Sequence, residues 1–413
     1  MDRVLVRLPS AGMKVDLLQG AVLDDRGPRH VKVSFSQHDT VTLDIDDAER
    51  KRLEALGARV FQDVKFRIAP ADASDNGAVP DATRWSATAG NSQGALSLAD
   101  VIEQIKAPGA WTRTRGRGVT IAVVDTGVDA GLREIEPDRR SSIDLNTAYK
   151  GKHWIDSVGH GSMCAAIAAG ARGRNGRYDG VAPEATVLSA RSTLMSSDLL
   201  EIYDELLRAR DEGRLKGPLV ISNSYALYSC SAPQIMPQDH PFFGSILAAI
   251  GQGIFVCFAA GNNHHDVLCK HDPTACGPNT IWGPNSHDRV MSVGTVNRLM
   301  TNCDPSTPHV NSSRGPGEWA ADTVKPDCVA PTYGEVPWGS GYKVMDWWGT
   351  SGACPQVAGL AALLLSVDSS LSPMAVADLI RTTCVNLSDG RTCIGHGMID
   401  CTKALAALAG GVV

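Results

Sequence analysis

Three side chains in this sequence could together carry out nucleophilic catalysis: an aspartate, a histidine and a serine. Ser351 lies in the run Gly-Thr-Ser-Gly-Ala-Cys-Pro at 349–355, which a long apolar stretch follows. A serine hydroxyl becomes a nucleophile only when a base removes its proton. His160 is the candidate base, because an imidazole titrates near neutral pH. Asp125 could fix the tautomer of that imidazole and stabilise its charged form.

A fourth side chain, that of Asn262, could stabilise the negative charge that such chemistry creates. It follows the apolar run 255–258 in a turn of small residues. Its amide could donate a hydrogen bond to the oxyanion of a tetrahedral intermediate. Ser351 precedes a helix-like run, so free backbone N–H groups at the start of that helix could also contribute. The predicted chemistry is acyl transfer.

The elements that must position these residues can be predicted too. Asp125 ends the run 119–124, whose continuous apolar character is typical of a strand buried on both faces of a parallel sheet. The sequence predicts strands at 119–124, 185–190, 219–223, 254–258 and 290–295, and helices at 160–170, 197–212, 242–251, 351–366 and 373–382. This alternation predicts an α/β domain with a central, mostly parallel sheet. Pro355 is expected in the first turn of its helix, where its missing N–H is harmless.

The four motifs, in this order, resemble those of the subtilisin-like serine proteases, the subtilase family. They are Asp-Thr-Gly at 125–127, Gly-His-Gly at 159–161, Ala-Ala-Gly-Asn at 259–262 and Gly-Thr-Ser at 349–351. The chain order Asp, His, Ser is that of subtilisin. The resemblance covers roughly Leu96 to Leu408. It implies a three-layer subtilisin-like domain and a serine endopeptidase that uses the four residues above.

The resemblance also implies where an extended peptide or protein substrate would bind, as an added strand. One edge would be the segment 191–197. The facing strand and the pocket wall would be formed by Ser224, Tyr225, Ala226, Ala260 and Gly261. The family usually reads Ser-Leu-Gly-Gly where this chain reads Ser-Tyr-Ala-Leu at 224–227. Side chains thus replace two glycines beside the expected pockets, which predicts an altered and narrower specificity.

Two departures follow the serine. Gly352 and Cys354 stand where the family has methionine and threonine. Neither position transfers protons, so activity is still expected. Gly352 is expected to remove a core side chain and to loosen the turn of the serine.

Three parts are predicted along the chain. Residues 1–70 form a small α+β domain, with strand-like runs at 4–8, 31–35 and 60–68 and a capped helix at 46–57. Residues 71–97, rich in Ala, Asp, Ser, Gly and Asn, form an exposed linker. Residues 98–413 form the peptidase domain.

The small first domain resembles the family's propeptide. That resemblance implies a zymogen whose own N-terminal domain assists folding and inhibits the site, with maturation by a cut in the linker or near Ile68. The alternative is a permanent accessory domain that binds partners.

Composition limits the partners. The net charge of -6 and the pI near 6.0 give no reason to expect nucleic acid. No apolar run of 18 residues is present, so no membrane span is expected. The first residues lack the apolar core of a signal peptide, which predicts a cytoplasmic protein unless another export route is used.

Eleven cysteines are present, and most are expected to be reduced and buried. If the protein is exported, the first disulfide candidates are Cys269, Cys276, Cys384, Cys393 and Cys401. No metal site is predicted. The alternative of a zinc site would use Cys269, His271 and Cys276 with His264 or His265, although their spacing is irregular. The resemblance allows structural calcium, yet Asp129 and the loop 136–146 match no calcium loop.

Each site residue also has a purely structural interpretation. Asp125 and Ser351 could cap turns or helices, His160 could simply begin a helix, and Asn262 could be a turn residue. Four motifs in the order expected of the family favour a catalytic role over four unrelated structural roles. Two other functions remain open: a non-catalytic binding module with the subtilase fold, and a protease that trims leader peptides in a biosynthetic cluster.

Overall fold

Two sheets organise the chain, a small antiparallel one near the N-terminus and a large parallel one that carries the site. The computed structural model describes residues 2–9, 33–34, 39–68, 96–173, 175–230, 235–265, 269–297, 306–320, 323–387 and 390–410. The predicted linker at 71–97 lies outside these residues, except for its last two. The predicted domain boundaries therefore stay predictions.

The large sheet has seven strands, all parallel to their neighbours. They are β5 (Thr120–Asp125), β6 (Arg140–Ser141), β7 (Thr186–Arg191), β8 (Leu219–Asn223), β9 (Phe255–Ala259), β10 (Met291–Val296) and β11 (Cys328–Pro331). Their order across the sheet is β11-β10-β9-β8-β5-β7-β6. The apolar runs form the central strands because helices cover both faces and exclude water.

Helices pack on both faces of this sheet. They are α2 (Leu98–Gln104), α3 (Ala107–Ala110), α4 (His160–Ala169), α5 (Ser196–Asp211), α6 (Pro241–Gly251), α7 (Gly349–Val367), α8 (Pro373–Thr383), α9 (Arg391–Ile394) and α10 (Cys401–Gly410). One core contains α4 and α7, and the other contains α5 and α6. The predicted three-layer α/β fold is confirmed, and the predicted strands and helices of this domain are present within two residues of their expected bounds.

The described residues of the small unit form one helix and a four-stranded sheet of order β2-β3-β1-β4. Its elements are β1 (Asp2–Arg7), β2 (Val33–Ser34), β3 (Thr40–Ile45), α1 (Asp47–Ala55) and β4 (Arg59–Gln62). The helix starts at a capping box in which Asp46 and Glu49 bind each other's backbone N–H. The expected strand 64–68 is not part of this sheet. It contacts the large domain instead, and β3 was not predicted.

A two-stranded hairpin precedes the helix of Ser351. It consists of β12 (Gly334–Trp338) and β13 (Gly341–Met345) and was not predicted. Helix α7 is the one described helix long and apolar enough to cross a membrane, and 89% of its apolar window is buried inside the fold. That burial is typical of a core helix.

Four cysteines form disulfides. The bonds join Cys230 to Cys269 and Cys276 to Cys393. Six further described cysteines are free, and all but one of them are buried. The expectation that most thiols are reduced and buried therefore agrees with the described cysteines, and these four are the exceptions. Of the named candidates Cys269, Cys276 and Cys393 are paired, whereas Cys384 and Cys401 are free.

Candidate active site

Asp125 and His160 meet at the carboxyl end of the sheet. Asp125 is the last residue of β5, and His160 is the first residue of α4. His160 Nδ1 lies 2.7 Å from Asp125 Oδ1, and both side chains are buried. Burial lowers the pKa of His160, but the charge of Asp125 and its hydrogen bond outweigh it and raise that pKa above 6.5. With Nδ1 bound to the carboxylate, Nε2 is the nitrogen left to act as a base.

The turn that presents His160 is held by Asp156, which the sequence reasoning missed. Asp156 Oδ1 accepts from the backbone N–H groups of Val158 and Gly159 at 3.0 and 2.8 Å. Its Oδ2 accepts from the backbone N–H and the hydroxyl of Ser162 at 2.9 and 2.7 Å. One carboxylate therefore satisfies several N–H groups that the start of α4 leaves free. The available signal was an aspartate four residues before a histidine that opens a helix.

Ser351 lies in the first turn of α7. The helix begins at Gly349, whose φ of +71° favours glycine. Ser351 Oγ donates to the carbonyl oxygen of Ser224 at 3.2 Å. Within the described residues, no hydrogen bond joins this hydroxyl to His160. Hydrogen bonds between a serine and a candidate base are often long or open in proteins without substrate, so this geometry is compatible with catalysis.

The helix starts two residues earlier than predicted, so Pro355 lies in its second turn rather than its first. A proline there cannot donate to the carbonyl oxygen four residues earlier, which is that of Ser351. That oxygen instead accepts from Ser224 Oγ at 3.0 Å and from Cys164 Sγ at 3.5 Å. The expectation for Pro355 was wrong, and side chains of two other elements replace the lost backbone bond.

Asn262 lies against the start of the same helix. Its Oδ1 accepts from the backbone N–H and the hydroxyl of Thr350 at 3.0 and 2.9 Å. A Cβ at Gly349 would lie 3.0 Å from Asn262 Nδ2. The oxygen of the amide is therefore held by Thr350, and its nitrogen lies beside Gly349 in the turn that carries Ser351.

Gly352 leaves no empty space beside the turn of the serine, because Trp348 occupies it. A Cβ at Gly352 would lie 2.8 Å from Trp348 Cβ and 3.3 Å from a methyl group of Thr332. The indole N–H of Trp348 donates to the carbonyl oxygen of Gly334 at 2.9 Å. The side chain of Trp348, one helical turn earlier, thus takes the place that a side chain at position 352 would occupy.

The segment 64–68 of the small unit lies in the cleft beside Ser351. The N–H of Phe66 donates to the carbonyl oxygen of Leu194 at 2.8 Å. Arg67 exchanges two hydrogen bonds of 3.0 Å with Ala226, as in an antiparallel pair. The chain runs toward Ser224, whose carbonyl oxygen contacts Ser351 Oγ. The two edges that the sequence assigned to an extended peptide therefore hold a segment of this same chain.

Aromatic packing and a helix cap hold this segment in place. Phe66 is fully buried, and its ring lies edge to face with Tyr225 at 5.3 Å and with Phe242 at 5.6 Å. The carboxylate of Asp63 accepts from the backbone N–H of Ser197 at 2.8 Å, at the start of α5. A negative charge at a helix N-terminus is favourable.

The remaining expected pocket residues follow two neighbouring strands of the sheet, β8 and β9. Ala260 N–H donates to the carbonyl oxygen of Val293, and Gly261 N–H donates to Thr350 Oγ1. Gly261 has a φ of +109°, and a Cβ there would lie 3.4 Å from that of Ala226. The backbone of Ala226 bonds to Arg67 and the carbonyl oxygen of Ser224 accepts from Ser351 Oγ, whereas the side chain of Tyr225 is buried and donates to Asn223 Oδ1.

Few described side chains could hold a metal ion. The one described group of three or more His, Cys, Asp or Glu ligands is formed by Asp125, His160 and Cys164, with ligand atoms within 4.8 Å of one another. An ion there would occupy the nitrogen that orients the base. Burial raises the pKa of Cys164 well above its usual value, so the thiol stays protonated.

The zinc alternative is wrong, since both of its cysteines are in disulfides. The candidate calcium carboxylates do not fit either. Asp129 Oδ1 accepts from the N–H of Gly131, and Asp144 Oδ1 from that of Gly151. Each is turned toward its own loop, and they do not converge with a third described ligand.

Known proteins resemble this chain over the region that forms the site. The model of a family described as the subtilase family matches residues 116–397. The serine protease AprX of Bacillus subtilis is 29% identical over 291 residues, which are 64% of this chain and 61% of that protein. An intracellular serine protease of Paenibacillus polymyxa is 28% identical over 72% of this chain and 83% of its own length. A calcium-dependent protease of Nostoc is 28% identical over 72% of this chain and 47% of its own length. The chain thus spans less than two thirds of the Bacillus relative.

Proposed function

The chain belongs to the subtilase family, and from this we propose that it is a serine endopeptidase that hydrolyses peptide bonds through an acyl-enzyme. The observation that carries the proposal is the 2.7 Å contact between Asp125 and His160, next to a serine at the start of a buried helix. If these residues were only separate helix or turn caps, there would be no reason for a buried carboxylate to bind a buried imidazole.

In the proposed reaction Ser351 Oγ attacks the carbonyl carbon of the scissile bond. His160 Nε2 takes the hydroxyl proton and then gives it to the leaving amine, which departs as the acyl-enzyme forms. A water molecule then attacks the ester with help from the same imidazole. Asp125 holds the tautomer, and its charge stabilises the imidazolium.

The oxyanion of each tetrahedral intermediate would accept from Asn262 Nδ2 and from the backbone N–H of Ser351. Thr350 holds the amide oxygen, which limits the rotation of the amide before charge develops. The substrate would be an extended peptide or protein segment that pairs with Ala226 and with the 191–197 edge.

We propose further that residues 1–70 act as an inhibitory propeptide of a zymogen. The pairing of Arg67 with Ala226 and the burial of Phe66 support this, because they occupy the backbone groups that a substrate needs. Structural calcium, which the resemblance allows, has no assigned site in this proposal, because Asp129 and Asp144 each bind an N–H group of their own loop.

The test is the intact mass of four purified proteins before and after a fluorophosphonate: wild type, Ser351→Ala, Phe66→Ala and Phe66→Ala with Ser351→Ala. We expect one adduct per molecule wherever Ser351 is present, with faster labelling in Phe66→Ala. We also expect wild type, but not Ser351→Ala, to lose about the first 70 to 95 residues, the length of the domain and its linker.

Two results would change the proposal. If the two proteins that keep Ser351 are not labelled and do not cleave a peptide mixture, the chain is a binding module and the catalytic proposal is wrong. If wild type is labelled but keeps its full mass, the enzyme stands and the N-terminal unit is a permanent domain.

A further inference from the structure

The hairpin β12–β13 places an aromatic ring beside the proposed base. The rings of Trp338 and His160 lie edge to face, with centroids 6.3 Å apart and planes at 89°. The indole lies against Gly159, where any side chain would overlap it. Trp338 is half-buried, so part of its ring remains accessible beside the site.

The hairpin that carries this ring is fixed at several points. Glu335 pairs with Arg177 and accepts from the hydroxyl of Tyr178. Tyr342 Oη donates to Glu134 at 2.7 Å. At the hairpin turn, the N–H of Gly339 approaches the carbonyl oxygen at the start of α4 at 3.4 Å. The indole of Trp338 is therefore presented by a firmly attached element.

In the proposed reaction, the two halves of the substrate lie on different sides of His160. The chain before the scissile bond would follow the track that the segment 64–68 takes between Leu194 and Ala226. Asp125 holds Nδ1, so Nε2 must protonate the leaving amine, and the chain after the scissile bond must pass along the imidazole. No described hydrogen bond or ring contact joins the segment 64–68 to Trp338, which leaves that ring for the other half of the substrate.

We infer that Trp338 is a specificity-determining residue for the leaving half of the substrate. Its ring forms the wall against which the first side chain after the scissile bond packs, and it favours large apolar or aromatic residues there. Lys343 lies on the same ring, with its ammonium 4.7 Å from the ring centroid, and favours an acidic group nearby. This inference rests on the proposed endopeptidase function.

The experiment compares three substrates with one shared acyl part: a methyl ester, a peptide with phenylalanine after the scissile bond and a peptide with glycine there. The proteins are full-length wild type, Trp338→Ala and Val344→Ala. Val344 lies on the same hairpin but is 57% exposed, which makes it the matched control. Active sites are counted by fluorophosphonate labelling, so that kcat/KM refers to working enzyme only.

We expect wild type to prefer the phenylalanine peptide to the glycine peptide, and Trp338→Ala to lose about tenfold of that preference. Val344→Ala should keep the preference. If Trp338→Ala lowers kcat/KM equally for all three substrates and its pH profile moves, the ring only supports His160, and the inferred subsite is wrong. An unchanged preference in Trp338→Ala also overturns it. Absence of labelling in every protein overturns the endopeptidase proposal itself, whereas normal labelling without any preference overturns the subsite alone.

Discussion

At the residue scale, Asp156 fixes part of the site geometry although none of the motifs identifies it. Its two oxygens accept from the backbone of Val158, Gly159 and Ser162 and thereby fix where α4 begins. Its negative charge also contributes to the raised pKa of His160, after the larger effects of burial and Asp125. A carboxylate four residues before a histidine is common in turns, which is why the sequence alone did not single it out.

The substitution Asp156→Asn should lower kcat/KM by about tenfold or more, because the new amide N–H₂ would oppose N–H donors at the start of α4. It should also shift the acidic limb of the pH profile to lower pH. Removing the charge lowers the pKa of His160, so the neutral base persists in more acidic solution. The measurement is kcat/KM between pH 5 and 9.

Asp129→Asn is the matched control, since Asp129 is also near α4 but its carboxylate accepts from its own loop. It should leave the limb where it is. An equal shift in both variants would mean that overall surface charge, rather than the contact at the turn, sets the pKa of His160.

At the element scale, continuous apolar runs were enough to locate the central strands. Val119 to Val124 and Phe255 to Phe258 could only be buried on both faces, and they are. The hairpin β12–β13 was missed because its strands are partly exposed and contain Pro337 and Gly341, which weaken a strand pattern. The segment 64–68 has strand character, yet the sequence could not show that its partner is in the other domain.

The sequence also could not predict that a large side chain one helical turn before Gly352 fills the space that the glycine leaves. Gly352 looked like a lost core side chain, but only the packing of α7 on the hairpin shows that Trp348 fills that space. A single departure from a family motif therefore does not predict a cavity.

Gly352→Ala should destabilise the protein by about 1–3 kcal/mol, since its Cβ would overlap Trp348 Cβ and the helix cannot move away without disturbing Ser351. Gly244→Ala is the control: it is also a helical glycine, in α6, but with open space around it. That change should be neutral or stabilising by up to about 1 kcal/mol. Urea unfolding of both variants measures the difference, and equal effects would contradict the packing argument.

At the scale of the whole molecule, one contact between the two units can respond to pH. Besides Phe66 and Asp63, a histidine, His240, connects the units. His240 Nε2 donates to the carbonyl oxygen of Gln62 at 3.1 Å, while Nδ1 accepts from the N–H of Phe242 at 3.2 Å. Both bonds together need the neutral ring, and burial lowers the pKa of His240 to about 4.

The sign of the effect follows from the two pKa values. Between pH 6.5 and 4 an unfolded or undocked His240 binds a proton, whereas the docked one does not, so acid favours the open form. We expect the free energy of unfolding to fall by at most about 3 kcal/mol over this range because of His240. His240→Asn can keep the cap on Phe242 but cannot titrate, so its stability should depend less on pH.

Urea unfolding of wild type and His240→Asn at several pH values between 4 and 7 tests this. Asp63, Asp239 and Arg7 also act on His240. They are present in both proteins, so the difference between the two curves isolates the imidazole. Parallel curves would contradict the assignment.

The disulfide between Cys276 and Cys393 has a topological consequence if the molecule cuts polypeptides, as we propose. It closes a loop of sequence separation 117 that contains Ser351 and the hairpin of Trp338. If another copy of the enzyme cuts this loop once, the two pieces stay joined through sulfur and through the packed sheet. A nick inside the loop therefore does not release the nucleophile from its base, and autolysis there need not mean loss of the enzyme.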